Sequence, residues 1–321
     1  MTRRSDAVRL PGSTATKSFT LIEILVSIAI LSILTVVLLS MLGSLMTVWQ
    51  GGQAHNERRT AAQAILERMS RDLSEAAFPA SRYATNSLQM VINPTGVSAT
   101  YQYPHAIFCQ SPVATDGGTN GNLAEVGYFV QWIAGSGGPA GTPCLSRVLI
   151  NPSSSDYQVY SSPNTWISDT LLSTYAPSKF ISVTANNNYG GLMAENVLGL
   201  WVQALDPAGN PIQQTSLPAG ERFDSRYIYT FTNAPMFGPS LAVLETNLSP
   251  GPASLQIIVA VMDSRTARQL TAIPGNYATT YPATSGSLWK DVQNFYTNLP
   301  TVIQKGTEIQ TTTVTLANGP R

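Results

Sequence analysis

Charge is what this chain has least of. Only 11% of its 321 residues are Asp, Glu, Lys or Arg, and 18 acids balance 18 bases to a formal net charge of +0. Nucleic-acid binding needs clustered Lys and Arg to displace counterions from phosphates, and this balance gives it no support. Histidine is almost missing: His55 and His105 are the only two. Cysteine is equally scarce, with Cys109 and Cys144 alone. His105 lies close to Cys109, but one His and two Cys are too thin a set for zinc. Neither a metal nor another cofactor is expected. No Gly-x-x-x-x-Gly-Lys occurs, so the chain is not a P-loop ATPase, and no His-Glu-x-x-His occurs either. Gly238-Pro239-Ser240-Leu241-Ala242 has the outline of a nucleophile elbow but lacks the last glycine. With no nucleophile beside an oriented base, no enzyme is expected. Asp116-Gly117-Gly118-Thr119-Asn120-Gly121-Asn122 offers one carboxylate where a tight calcium loop uses several, and reads as a surface loop. Trp132, Trp166 and Trp289 could form a sugar-binding shelf, but tryptophans at such positions belong more often to a core.

What the chain does have is one long apolar run near its start. From Ile24 to Met46 no residue is charged. A helix over that span would be about 35 Å long, enough to cross a hydrocarbon core of about 30 Å. Before it stands a basic arm, Arg3, Arg4, Arg9 and Lys17 against Asp6, which places the N-terminus in the cytoplasm and exports the rest. The run is longer than the 7–15 apolar residues of a secretory signal peptide, and Ser40-Met41-Leu42-Gly43-Ser44 is a poor cleavage site, so the segment is expected to be retained. A plain signal anchor leaves Glu23 unexplained. A carboxylate in mid-bilayer costs roughly 2.5–3.5 kcal/mol, less near a helix start, where the positive end of the dipole helps.

Ser18-Phe19-Thr20-Leu21-Ile22-Glu23, after a basic leader and before an unbroken apolar helix, resembles the class III signal of type IV prepilins and type II secretion pseudopilins. The resemblance implies that a prepilin peptidase cuts between Ser18 and Phe19 and methylates the new amine on Phe19. It also implies that Glu23 pairs with the N-terminal amine of a neighbouring subunit. Ser18 departs from the family's usual glycine; both are small, so slower processing is expected, not its loss. More weakly, Gly127-Tyr128-Phe129-Val130, Leu145–Leu149, Glu195–Leu200 and Thr311–Val314 are similar to Verru_Chthon cassette protein C, and Met69–Leu73 to J-type minor pseudopilins and W-type minor pilins.

Past the apolar run the helical pattern persists. Ala54, Arg58, Ala61, Ala62, Ile65, Leu66, Met69, Leu73 and Ala76 form a stripe, read as packing against the molecule's own globular part. Glu67–Arg71, Arg68–Asp72 and Arg71–Glu75 stand at i,i+4 and support an exposed face. The helix is expected from Phe19 to Ala77, ending before Pro79, with Gly51-Gly52 as its soft point. Strand-like runs follow at Leu88–Ile92, Glu125–Ile133, Ser146–Ile150, Val197–Leu205, Arg226–Thr232, Leu255–Met262 and Thr311–Leu316, with short helices at Trp166–Tyr175 and Ser287–Leu299. Ala134–Pro143 reads as a Gly-rich loop. The expected class is α+β: a long N-terminal transmembrane and stalk helix followed by an antiparallel sheet domain. Its parts are leader 1–18, membrane helix 19–49, stalk 50–79 and exported domain 80–321. In an oxidising compartment Cys109 and Cys144 are expected to form a disulfide, closing a loop of about 35 residues worth roughly 4 kcal/mol, with two free buried thiols as the alternative.

Together these readings imply a minor pilin-like or pseudopilin-like structural subunit of the inner membrane, with its N-terminus cytoplasmic and its C-terminal domain periplasmic or extracellular. Its partners would be the prepilin peptidase, other pilins or pseudopilins through the N-terminal helix, and an inner-membrane assembly platform. The alternatives are a prepilin-processed surface binding protein (an adhesin or DNA-uptake receptor) and a membrane-tethered periplasmic enzyme.

Overall fold

A computed structural model describes residues 20–78, 88–116, 121–138, 140–158, 166–175, 182–183, 189–212, 214, 217–227, 231–232, 244–245, 251–275 and 288–319. The chain divides into two compact units, Met1–Gln53 and Ala54–Arg321. One α-helix, α1 (Leu21–Ser74), begins in the first and ends in the second. In the first unit every described residue, Thr20 to Gln53, is exposed. This is the one described helix long and apolar enough to cross a membrane. Gly51 and Gly52 lie within the helix.

In the second unit the expected stripe is buried: Ala62, Ile65, Leu66, Met69, Leu73 and Ala76 enter the main core. The helix ends at Ser74, short of the Ala77 expected, because other partners take its last carbonyls. Ala317 N–H donates to the Ser74 carbonyl at 2.8 Å, and the Asn318 amide to that of Ala76 at 2.9 Å. Orphan acceptors at a helix end need such partners when buried.

The described strands are β1 (Val91–Ile92), β2 (Ile107–Ser111), β3 (Ala124–Gly138), β4 (Gly141–Ile150), β5 (Ser182–Val183), β6 (Tyr189–Glu195), β7 (Val197–Leu205), β8 (Phe223–Asp224), β9 (Phe231–Thr232), β10 (Leu244–Glu245), β11 (Ser254–Met262) and β12 (Thr307–Thr315). A seven-stranded sheet has the order β5-β6-β4-β3-β2-β1-β8, a three-stranded sheet β12-β11-β7, and β9 pairs with β10. The strand pairings are antiparallel. The larger sheet lays Ile107, Val126, Tyr128, Leu145 and Leu149 on the α1 side, and the smaller contributes Leu200, Val202, Ile257 and Val259 to the same core. Each sheet also buries its other face. Phe108, Phe129, Val148 and Ile150 pack with Trp166 and with Leu172 of α2 (Asp169–Tyr175). Trp201, Ile258 and Met262 pack under α3 (Ser264–Ala267), α4 (Leu288–Thr297) and α5 (Thr301–Lys305). Strands covered on both faces read as continuous apolar runs, which is why β7 and β11 were plain in the sequence. The α+β expectation is met: a long N-terminal helix whose second half packs on antiparallel sheet.

Two expectations are corrected. Ala134–Pro143 is not a loop. β3 runs to Gly138 and β4 starts at Gly141, the two glycines facing each other after a shift in register. Glycine has no side chain to alternate, so this hairpin end carried no strand signal. The expected Cys109–Cys144 disulfide is absent, and both cysteines are free and buried. Cys109 faces Val126, Val126 faces Leu149, and Cys144 lies five residues earlier on β4. Two strand spacings across and five residues along place the α-carbons about 19 Å apart. A disulfide needs them within about 7 Å. The odd offset also turns the two thiols to opposite faces of the sheet.

Candidate functional site

Helix α1 starts with a reciprocal cap. Thr20 N–H donates to Glu23 Oε2 at 2.9 Å, the Thr20 hydroxyl donates to the same oxygen at 3.1 Å, and Glu23 N–H donates to Thr20 Oγ1 at 3.4 Å. This is the Thr-x-x-Glu capping box, which satisfies donors that a helix start otherwise leaves unpaired. The spacing was legible in the sequence, but the apolar run drew attention to the cost of Glu23 instead of to its cap. Beyond it Ser27, Ser32, Thr35, Ser44 and Thr47 each donate a hydroxyl to the carbonyl four residues back, at 2.7 to 3.1 Å. The helix thereby hides its polar groups and presents Ile24, Leu25, Ile28, Leu31 and their like outward. Ser18 and Phe19, the expected cleavage pair, lie outside the described residues, as do Gly238–Ser240 and Leu241-Ala242. Residues 117–120 of the loop weighed for calcium lie outside them too.

The second constellation was not foreseen. Asp72, expected on the exposed face with Arg68, is only 1% exposed. Tyr128 on β3 and Arg147 on β4 are direct cross-strand neighbours, and both face the stalk. The Tyr128 hydroxyl donates to Asp72 Oδ2 at 2.5 Å, Arg147 Nε donates to it at 2.8 Å, and Arg147 Nη2 lies 2.6 Å away. Arg68 Nε stands 3.5 Å from the other carboxylate oxygen, and Ser111 Oγ donates to the Asp72 carbonyl at 2.6 Å. Burial alone would lower the Arg147 pKa, but Tyr128 and Asp72 more than offset it, and the guanidinium is held charged. Burial pushes the Tyr128 phenol far up, so it stays a donor. Of the other expected pairs, Arg71 meets Glu67 at 3.3 Å. The cluster ties one turn of the helix to three adjacent strands and fixes the helix register on the sheet.

A third group ties the stalk to the smaller sheet. Arg58 Nη1 donates to Asp263 Oδ2 at 2.8 Å, His55 Nδ1 lies 3.1 Å from Glu308 Oε2, and Ser264 Oγ donates to Glu57 at 2.8 Å. Cys109 and Cys144 offer no nucleophile, since burial pushes each thiol up to about 12. Trp166 is core, as the sequence reading preferred.

The prokaryotic N-terminal methylation motif matches residues 14–39. That stretch holds the expected cleavage pair, Glu23, the cap and about two thirds of the apolar run. The chain thus carries a prepilin-type signal, which implies processing by a prepilin peptidase, and the match reaches no further. No curated protein matches the chain.

Proposed function

We propose that the protein is a minor pilin-like or pseudopilin-like subunit. It is made as a single-pass inner-membrane precursor, cut between Ser18 and Phe19, methylated on Phe19, and assembled through its N-terminal helix into a type IV pilus or type II secretion pseudopilus. In this reading 1–18 is the leader, 19–49 the membrane helix, 50–79 the stalk and 80–321 the exported domain. The observation that carries it is the coincidence of the methylation motif at residues 14–39 with a fully exposed apolar helix, whose continuation is bolted into a sheet domain. In the precursor the exposed apolar face is covered by lipid; in a fibre it would be covered by the same helix of neighbouring subunits. The role is structural, and assembly would proceed on an inner-membrane platform.

The capping box makes the role of Glu23 testable in a way the motif alone does not. Glutamine also serves at the third helical position of a capping box, so Glu23→Gln keeps the cap and removes the charge. Thr20→Ala does the reverse, at a cost of about 1 kcal/mol of helix stability. If Glu23 receives a neighbour's N-terminal amine, removing it leaves that charge buried without its partner, a loss of about 3–5 kcal/mol. The precursor is co-expressed with a prepilin peptidase and partner pilins, and intact mass is read alongside recovery in sheared fibres. Native and variant chains should start at Phe19, and Ser18→Gly should process at least as fast. Thr20→Ala should still enter fibres, whereas Glu23→Gln should not. Normal incorporation of Glu23→Gln would remove the pairing role and leave Glu23 as a cap. A chain that is never trimmed would remove the pilin-like reading itself.

A further inference from the structure

Beside the Asp72 cluster lies a half-open cavity of about 430 Å³ between the stalk, the β2–β3 connection and strands β4 and β6. Gly191 is part of its wall. Tyr128, Arg147 and Gly191 form one row across β3, β4 and β6, and the third member has no side chain to fill the space beside Arg147. Val113, Leu149 and Met193 make its walls apolar, while Arg68, Arg147 and Thr115 supply the polar groups. The size falls in the range of small-molecule sites.

The charge balance selects what such a space accepts. Two guanidiniums share one carboxylate: Asp72 holds Arg147 at 2.6 Å and Arg68 at 3.5 Å. One positive charge is left over, and none of the lining residues is acidic. Asp116, next to Thr115, belongs to the neighbouring loop and not to the wall. The two cations differ in freedom. Arg147 is fixed by Asp72 and Tyr128, whereas the Arg68 side chain is 45% exposed and meets Asp72 through a single contact at 3.5 Å. Arg68 is therefore able to turn its planar fork toward an incoming carboxylate, the geometry guanidinium matches best.

We propose that this cavity binds a monocarboxylate carried on a short apolar body, its acid group on Arg68 at the mouth and its hydrocarbon against Val113, Leu149 and Met193. The same chemistry is offered by a free short-chain aliphatic acid and by the C-terminal residue of a peptide ending in leucine. The site does not depend on the assembly reading.

The test uses the full-length chain in non-ionic detergent with ¹³C-methyl methionine, the Met193 signal being assigned from Met193→Leu. Hexanoate should shift that signal saturably, and hexanamide should bind at least ten-fold more weakly, since a charge-assisted hydrogen bond is lost. N-acetyl-glycyl-leucine and its amide form the second arm; tighter binding of this acid than of hexanoate identifies a chain terminus as the source, and the reverse a free acid. Arg68→Gln, which leaves Arg147 and Asp72 paired, should weaken either acid about ten-fold or more. Gly191→Val should close the cavity and abolish the shift. No saturable shift in the native chain, equal binding of acid and amide, or full affinity in Arg68→Gln would each overturn the proposal.

Discussion

His105 shows how much a single polar residue can be made to do without its charge. It is 2% exposed, its Nδ1 accepts the Val202 N–H at 2.8 Å, and its backbone N–H donates to the Leu200 carbonyl at 3.1 Å. It thus hydrogen-bonds to β7, the edge strand of the smaller sheet. Burial, and then the positive charge of Arg222, hold its pKa well below the usual histidine value. The imidazole is neutral in the fold, while in the unfolded chain it titrates near 6.5. Below that pH the unfolded state takes up a proton that the folded state refuses, so stability falls as pH falls. The slope reaches at most about 1.4 kcal/mol per pH unit until the folded value is met. Urea midpoints of the full chain in detergent should therefore drop between pH 7.5 and 5, and His105→Gln should show a shallower drop. Parallel curves for the two proteins would assign the pH dependence to other groups.

At the scale of elements, the joint between α1 and the larger sheet rests on Asp72. Removing it by Asp72→Ala leaves Arg147 buried against Tyr128 with no counter-charge, and should cost about 3–5 kcal/mol of unfolding free energy. Replacing the group wholesale, Asp72→Leu with Arg147→Met and Tyr128→Phe, should recover most of that, because apolar side chains of similar size avoid the desolvation of both ions. A triple variant as weak as the single one would mean that the cluster does more than neutralise itself. Little of this joint was legible. The i,i+4 spacing of Arg68 and Asp72 reads as a surface pair, and nothing local says that position 147 will arrive from another strand. Strand β2 was missed for a similar reason: Ile107-Phe108-Cys109-Gln110-Ser111 ends in polar residues yet is buried throughout, Gln110 Oε1 accepting the Gln89 N–H at 2.6 Å. Strand β6 contains Gly190-Gly191, which carry no alternation. The long helix, the stripe of the stalk, β7, β11 and the Glu23 motif were legible because each is specified by a period or a spacing within one segment. The disulfide was misread because loop length was known and strand register was not.

On the scale of the whole molecule, one helix serves two environments. Its second half is core: Met69 is 0% exposed and packs with both sheets' side chains. Its first half buries nothing: Ile30, in mid-run, is 56% exposed and must find lipid or other helices. The proposed passage from a bilayer into a fibre needs this division, since the half that changes surroundings must not disturb the half that holds the domain together. Substitutions on the two halves should accordingly separate. Met69→Ala opens a cavity in the core and should lower the unfolding free energy by about 2–5 kcal/mol. It should leave membrane insertion and trimming unchanged. Ile30→Ala should leave the unfolding free energy of the sheet domain within about 0.5 kcal/mol of native, while reducing recovery in fibres if, as proposed, this face packs on a neighbouring helix there. Tryptophan fluorescence during urea titration and fibre recovery from the same cells supply the two readouts. If Ile30→Ala shifted the unfolding midpoint as far as Met69→Ala, the apolar half would be part of the folding core and could not be free to leave the bilayer for a fibre.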